Sequence, residues 1–73
     1  MKSISIVIPA YNEEQRLPST LEAIFDYLNR SAWPSAEVLV VDDGSTDATA
    51  AIVKQFSARY PGLRLLENPG NRG

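Results

Sequence analysis

The run Val38-Leu39-Val40-Val41, cut off without a break by Asp42-Asp43-Gly44, constrains this chain more than any other feature. It is too short for a buried helix and lacks polar alternation, so it reads as a strand covered on both faces, the condition met in parallel sheets. Parallel strands need a crossover of about a dozen residues or more, usually a helix. The flanks supply the parts. Residues 3–9, Ser-Ile-Ser-Ile-Val-Ile-Pro, are β-branched and partly alternating, a buried strand ending at Pro9. Leu17, Leu21, Ile24, Phe25 and Leu28 then recur at helical spacing, with Pro18 in the first turn, where a missing N–H costs nothing. After a loop over 31–35, the second strand leads into a second helix with Ala48, Ile52, Val53, Phe56 and Tyr60 on its inner side, stopped by Pro61-Gly62. Leu63 to Leu66 form a third strand and Asn68-Pro69-Gly70-Asn71 a turn. The order is βαβαβ, an α/β unit with a parallel, Rossmann-like sheet and right-handed crossovers.

Composition narrows the chemistry. Among 73 residues there is no Cys and no His, which excludes disulfides, thiolate or imidazole metal sites, thiol nucleophiles and Ser-His-Asp catalysis. A chain of this size buries only about 60% of its unfolded surface, enough for one small core. The net charge of −2 opposes general nucleic-acid binding. It is unevenly spread: residues 31–47 carry four acids and no base, whereas 48–73 carry four bases and one acid. No apolar run reaches the ~20 residues of a membrane span, and no secretory signal is recognisable. The expected location is cytoplasmic. The chain stops at Asn71-Arg72-Gly73 directly after a turn signal, and an excised piece of a longer protein is expected.

In open parallel sheets ligands bind beyond the carboxyl ends of the strands, where three loops meet here: 10–14, 42–47 and 67–73. Tyr11 can stack on a base or pack at the sheet edge. Glu13 and Glu14 can accept from base or ribose donors, or complement a helix dipole in its first turn. Asp42 and Asp43 alternate in direction, so one is expected to face the crevice while the other holds the turn. Asp43-Gly44 also suits a turn, and Ser45 to Asp47 a helix start. Arg72, with Asn71 and Gly73, can meet a diphosphate or belong to a solvated chain end. No G-x-G-x-x-G or Walker loop is present, so neither a nicotinamide nor a P-loop site is supported.

Taken together, Ile-Val-Ile-Pro-Ala-Tyr-Asn-Glu-Glu (6–14), Val-Val-Asp-Asp-Gly-Ser-Thr-Asp (40–47) and Asn-Arg-Gly (71–73) resemble the start of the family 2 glycosyltransferases of the GT-A (nucleotide-diphospho-sugar transferase) fold. The likeness covers essentially the whole chain, and the segment 11–18 with Asn-Arg-Gly resembles the dolichyl-phosphate glucosyltransferase branch. The resemblance implies that residues 1–73 are the N-terminal nucleotide-binding portion of the catalytic domain. Pro9, Ala10, Tyr11 and Glu13 would line the nucleotide pocket, Val41 and Asp43 would flank base and ribose, and Asp42 would support the loop. Asn71, Arg72 and Gly73 would open a segment near the donor.

In the complete enzyme the resemblance implies metal-dependent, inverting transfer of a sugar from a UDP-sugar, glucose from UDP-glucose in the first instance. The acceptor would be a dolichyl or polyprenyl phosphate, reached at the cytoplasmic membrane face. Mg²⁺ or Mn²⁺ would bind through an Asp-x-Asp motif that this chain lacks, so no metal and no catalytic base are assigned here and the 73 residues alone are expected to be inactive. Two other readings stay open: a non-catalytic nucleotide-binding or oligomerising α/β module, and a phosphoacceptor domain. The second fits poorly because the acid pair follows the second strand. Self-association is expected, since so small a core has no staples.

Overall fold

A computed structural model describes residues 3–31, 33 and 35–68. Five elements follow in order: β1 (Ser3–Ala10), α1 (Leu17–Arg30), β2 (Ser35–Asp42), α2 (Thr49–Arg59) and β3 (Leu63–Glu67). The strands form one parallel sheet in the order β1-β2-β3, with Ala10 opposite Asp42 and Asp42 opposite Glu67. The βαβαβ expectation holds, and the register sets the three carboxyl ends level.

All three strands run further than their sequence signals, β3 by one residue to Glu67. β1 continues through Pro9 to Ala10, whose carbonyl accepts a hydrogen bond from the Asp43 N–H at 3.0 Å. Alternate residues of a strand face alternate neighbours, so the Pro9 nitrogen turns to the free edge, where a missing donor breaks no ladder. β2 begins at Ser35 because Ser3 to Ser5 offer a partner backbone there.

Both helices lie on one face. Leu17, Leu21 and Phe25 of α1 and Val53 of α2 join Val38, Val40, Leu63 and Ala10 in a single buried cluster, and the Phe25 and Tyr60 rings stack at 4.1 Å. Leu21, Val38, Val40 and Val53 are wholly enclosed, each burial worth roughly 1.5–3 kcal/mol. Among the described residues nothing covers the opposite face: Val7 and Leu66 are 60% and 49% exposed, and Leu39 and Val41 are half-buried. Within this segment the strands are covered on one face, where the expectation was cover on both. With strand order 1-2-3, successive crossovers of one hand place every helix on the same side, and only a reversal of strand order would put one on the other.

Two further details differ from the periodic reading. Ala48 is exposed and precedes α2, whose inner stripe starts with the fully buried Thr49. Glu13 and Glu14 precede α1, which has no acid in its first turn. At Gly62 a Cβ would lie 2.8 Å from the Ala36 carbonyl oxygen, so the turn into β3 requires glycine.

Candidate functional site

The site is built from the two loops leaving β1 and β2. The Asp43 N–H to Ala10 bond ties their roots together, and the Asn68 N–H donates to the Asp42 carbonyl at 2.8 Å, bringing the end of β3 alongside. Asp42 is 3% exposed, and its Oδ1 accepts from the Ser45 N–H at 3.1 Å while Gly44 supplies the left-handed turn at φ 81°. Of the adjacent acids, Asp42 holds the turn. Asp43 is half-buried and belongs by alternation to the face of Val41, away from the helices.

The loops are clasped by short polar side chains that answer backbone groups. The Asn12 N–H donates to Ser45 Oγ at 2.8 Å, and the Thr46 N–H donates back to Asn12 Oδ1 at 2.9 Å. The Glu13 N–H donates to Thr49 Oγ1 at 2.9 Å, and the Glu14 N–H to Asp47 Oδ2 at 3.2 Å. In return the Ala48 N–H donates to Glu14 Oε1 at 2.8 Å. The N–H of Ala48, just before α2, and that of Thr49, which opens it, are thus answered one from each loop, since Asp47 Oδ1 also accepts from the Thr49 N–H at 2.9 Å. Each such bond contributes about 0.5–1.5 kcal/mol net, so the clasp outweighs any exposed ion pair on this molecule.

Asp47 is held more acidic than an ordinary carboxyl group. Desolvation pushes its carboxyl up, but hydrogen bonds from the Thr49 hydroxyl, the Thr49 N–H and the Glu14 N–H together outweigh it and hold the pKa below the ordinary value of 3.8.

Two cavities flank this rim. One, of about 590 Å³, is lined by Tyr11, Asn12, Glu13, Glu14, Gln15, Arg16 and Asp47, and the other, of about 220 Å³, includes Ile8, Pro9, Ala10 and Leu17. The Glu13 carboxylate, paired with Arg16 at 2.9 Å, borders both. Pro9, Ala10, Tyr11 and Glu13 therefore gather at the cavities. Val41, Asp42 and Asp43 line neither and join them only through the strand-end backbone bonds. Asn71, Arg72 and Gly73 lie outside the described residues. Among the described residues no three acids gather as a cation cage, and Asp42 Oδ1 is engaged by the Ser45 N–H.

Sequence pattern assigns Ser45 to Asp47 to a helix start and Glu14 to a base, a ribose or a helix dipole, and gives Asn12 and Thr49 no part in joining the loops, whereas the structure brings all six into the clasp. Their signal was present in two runs of short polar side chains, Asn-Glu-Glu and Ser-Thr-Asp, but such residues bond their own turns as readily as a distant loop.

A sequence model of glycosyl transferase family 2 matches residues 5–73. A dolichyl-phosphate beta-glucosyltransferase of Trichomonas vaginalis is 43% identical over 96% of this chain and 23% of its own length. Proteins of the same name from Dictyostelium discoideum and Homo sapiens are 40% and 37% identical, over 96% and 99% of this chain and 23% and 24% of their own lengths. The chain thus spans about a quarter of the length of these curated relatives.

Proposed function

Because this chain belongs to glycosyl transferase family 2, we propose that it is the donor-recognising segment of an enzyme that transfers glucose from UDP-glucose to a dolichyl or polyprenyl phosphate. The observation that carries this is the bond between the Asp43 N–H and the Ala10 carbonyl, which joins the loop that carries Tyr11 to the loop that carries Asp43 at the strand ends. Tyr11 is half-exposed and free to stack on the base. Asp43 offers carboxylate oxygens to donors of the base or ribose. Glu13 stays oriented by Arg16 at the cavity wall.

In the reaction an oxygen of the acceptor phosphate attacks the anomeric carbon, the bond from that carbon to the diphosphate breaks, UDP leaves with the bonding pair, and the anomeric centre inverts. This segment contributes position: it holds the nucleoside so that the sugar faces the acceptor. Mg²⁺ or Mn²⁺ would neutralise the leaving diphosphate. Its ligands would come from outside this segment, and none of the positioning above depends on it. A polyprenyl acceptor would place the enzyme at a membrane face; neither described helix is long and apolar enough to cross one.

The test is calorimetric titration of the protein with UDP, GDP and their glucose and mannose conjugates. Selective binding of uridine nucleotides, lost in Asp43→Ala, is the expected result. No binding at millimolar ligand would overturn the proposal and favour a non-catalytic α/β module.

A further inference from the structure

Asn12 combines two features that nothing in donor chemistry requires. Its backbone is left-handed at φ 52°, and among the described residues only Gly44 shares a positive φ. Asparagine tolerates that region better than most side chains, yet it persists there only when the surroundings hold it. Here the holding groups come from the other loop: Asn12 N–H to Ser45 Oγ at 2.8 Å, and Thr46 N–H to Asn12 Oδ1 at 2.9 Å. Ser45 is fixed in turn by its N–H on Asp42 Oδ1 at 3.1 Å. A continuous chain of hydrogen bonds therefore runs from the residue after Tyr11 to the residue before Asp43.

We infer that Asn12 is a positioning residue for the donor site, setting the placement of Tyr11 relative to Asp43 through Ser45 and Thr46. This rests on the reading of Tyr11 and Asp43 as donor contacts. The amide oxygen is the working group, because it accepts from Thr46 while the amide nitrogen donates to none of the described residues. Aspartate should therefore replace asparagine, and glycine, which adopts the same φ freely but lacks the acceptor, should not.

The experiment uses the full-length enzyme, with Asn12→Gly, Asn12→Asp, Tyr11→Ala and Asp43→Ala read by UDP calorimetry, UDP-glucose kinetics and thermal melting. Asn12→Gly is expected to weaken UDP binding and raise KM for UDP-glucose about tenfold with kcat changed less than about twofold, the pattern of lost uniform binding. Asn12→Asp is expected to restore both to within about twofold of the parent. If Tyr11→Ala and Asp43→Ala weaken binding while Asn12→Gly does not, the positioning role is refuted and the donor site stands. If Tyr11→Ala and Asp43→Ala change nothing, the donor site is refuted and the role of Asn12 falls with it. Should Asn12→Gly fail to fold, Ser45→Ala carries the test, and an unchanged UDP affinity in that variant refutes the inference.

Discussion

Asp42, 3% exposed, accepts the Ser45 N–H on its Oδ1 at 3.1 Å, while the Asp43 side chain holds none of the described hydrogen bonds of that turn. Two adjacent identical residues thus carry different tasks. Asp42→Ala should destabilise the fold by about 1–3 kcal/mol, because it strips a buried turn of its acceptor. Asp43→Ala should change stability by less than about 0.5 kcal/mol and act on nucleotide binding instead. Urea denaturation beside calorimetry separates the two; equal stability losses would contradict this division.

Tyr11 is 49% exposed at the mouth of the larger cavity. Its ring contributes little to the core, so Tyr11→Ala should leave the melting temperature nearly unchanged while weakening uridine nucleotide binding by about 1–3 kcal/mol, the scale of stacking one base on an aromatic ring. Tyr11→Phe should retain most of the affinity. A large drop in melting temperature without a change in binding would make Tyr11 an edge-packing residue.

The acid limb of stability should depend on Asp47. Its carboxyl is held below 3.8, so its charged form favours the folded state. That contribution is complete above the unfolded carboxylate pKa and disappears as the pH falls through the lower, folded value. Denaturation followed downward from pH 6 should show the loss beginning below about pH 5. In Asp47→Asn this limb should flatten; an unaltered acid profile would show that the clasp does not rely on the charge.

Gly62→Ala should destabilise by about 1–3 kcal/mol, since the added methyl meets the rigid Ala36 carbonyl at 2.8 Å. The effect should appear in the denaturation midpoint and leave nucleotide affinity per folded molecule unaltered, because Gly62 lies at the amino end of β3, opposite the site.

Residues 1–73 expressed alone should self-associate through the bare sheet face, where Val7 and Leu66 stand exposed beside the half-buried Leu39 and Val41. Sedimentation should show a concentration-dependent mass that Val7→Lys suppresses. A monomer at all concentrations would mean that this face tolerates water.

The elements and their order were legible in the chain. Periodicity at Leu17 to Leu28, the β-branched runs and the Asp43-Gly44 and Pro61-Gly62 breaks are local signals, and backbone propensity and turn chemistry act locally. Those signals also place polar loops at the strand carboxyl ends, which is as far as residue pattern alone takes the site. What the tertiary structure decided is which face each residue meets. Whether Asp42 or Asp43 turns inward depends on the register Ala10 to Asp42, and whether the sheet is covered once or twice depends on strand order. The clasp belongs to the same class: Asn12 and Ser45 stand 33 positions apart and Glu13 and Thr49 36, and their short side chains satisfy nearby turns equally well until strand pairing brings the two loops within bonding distance.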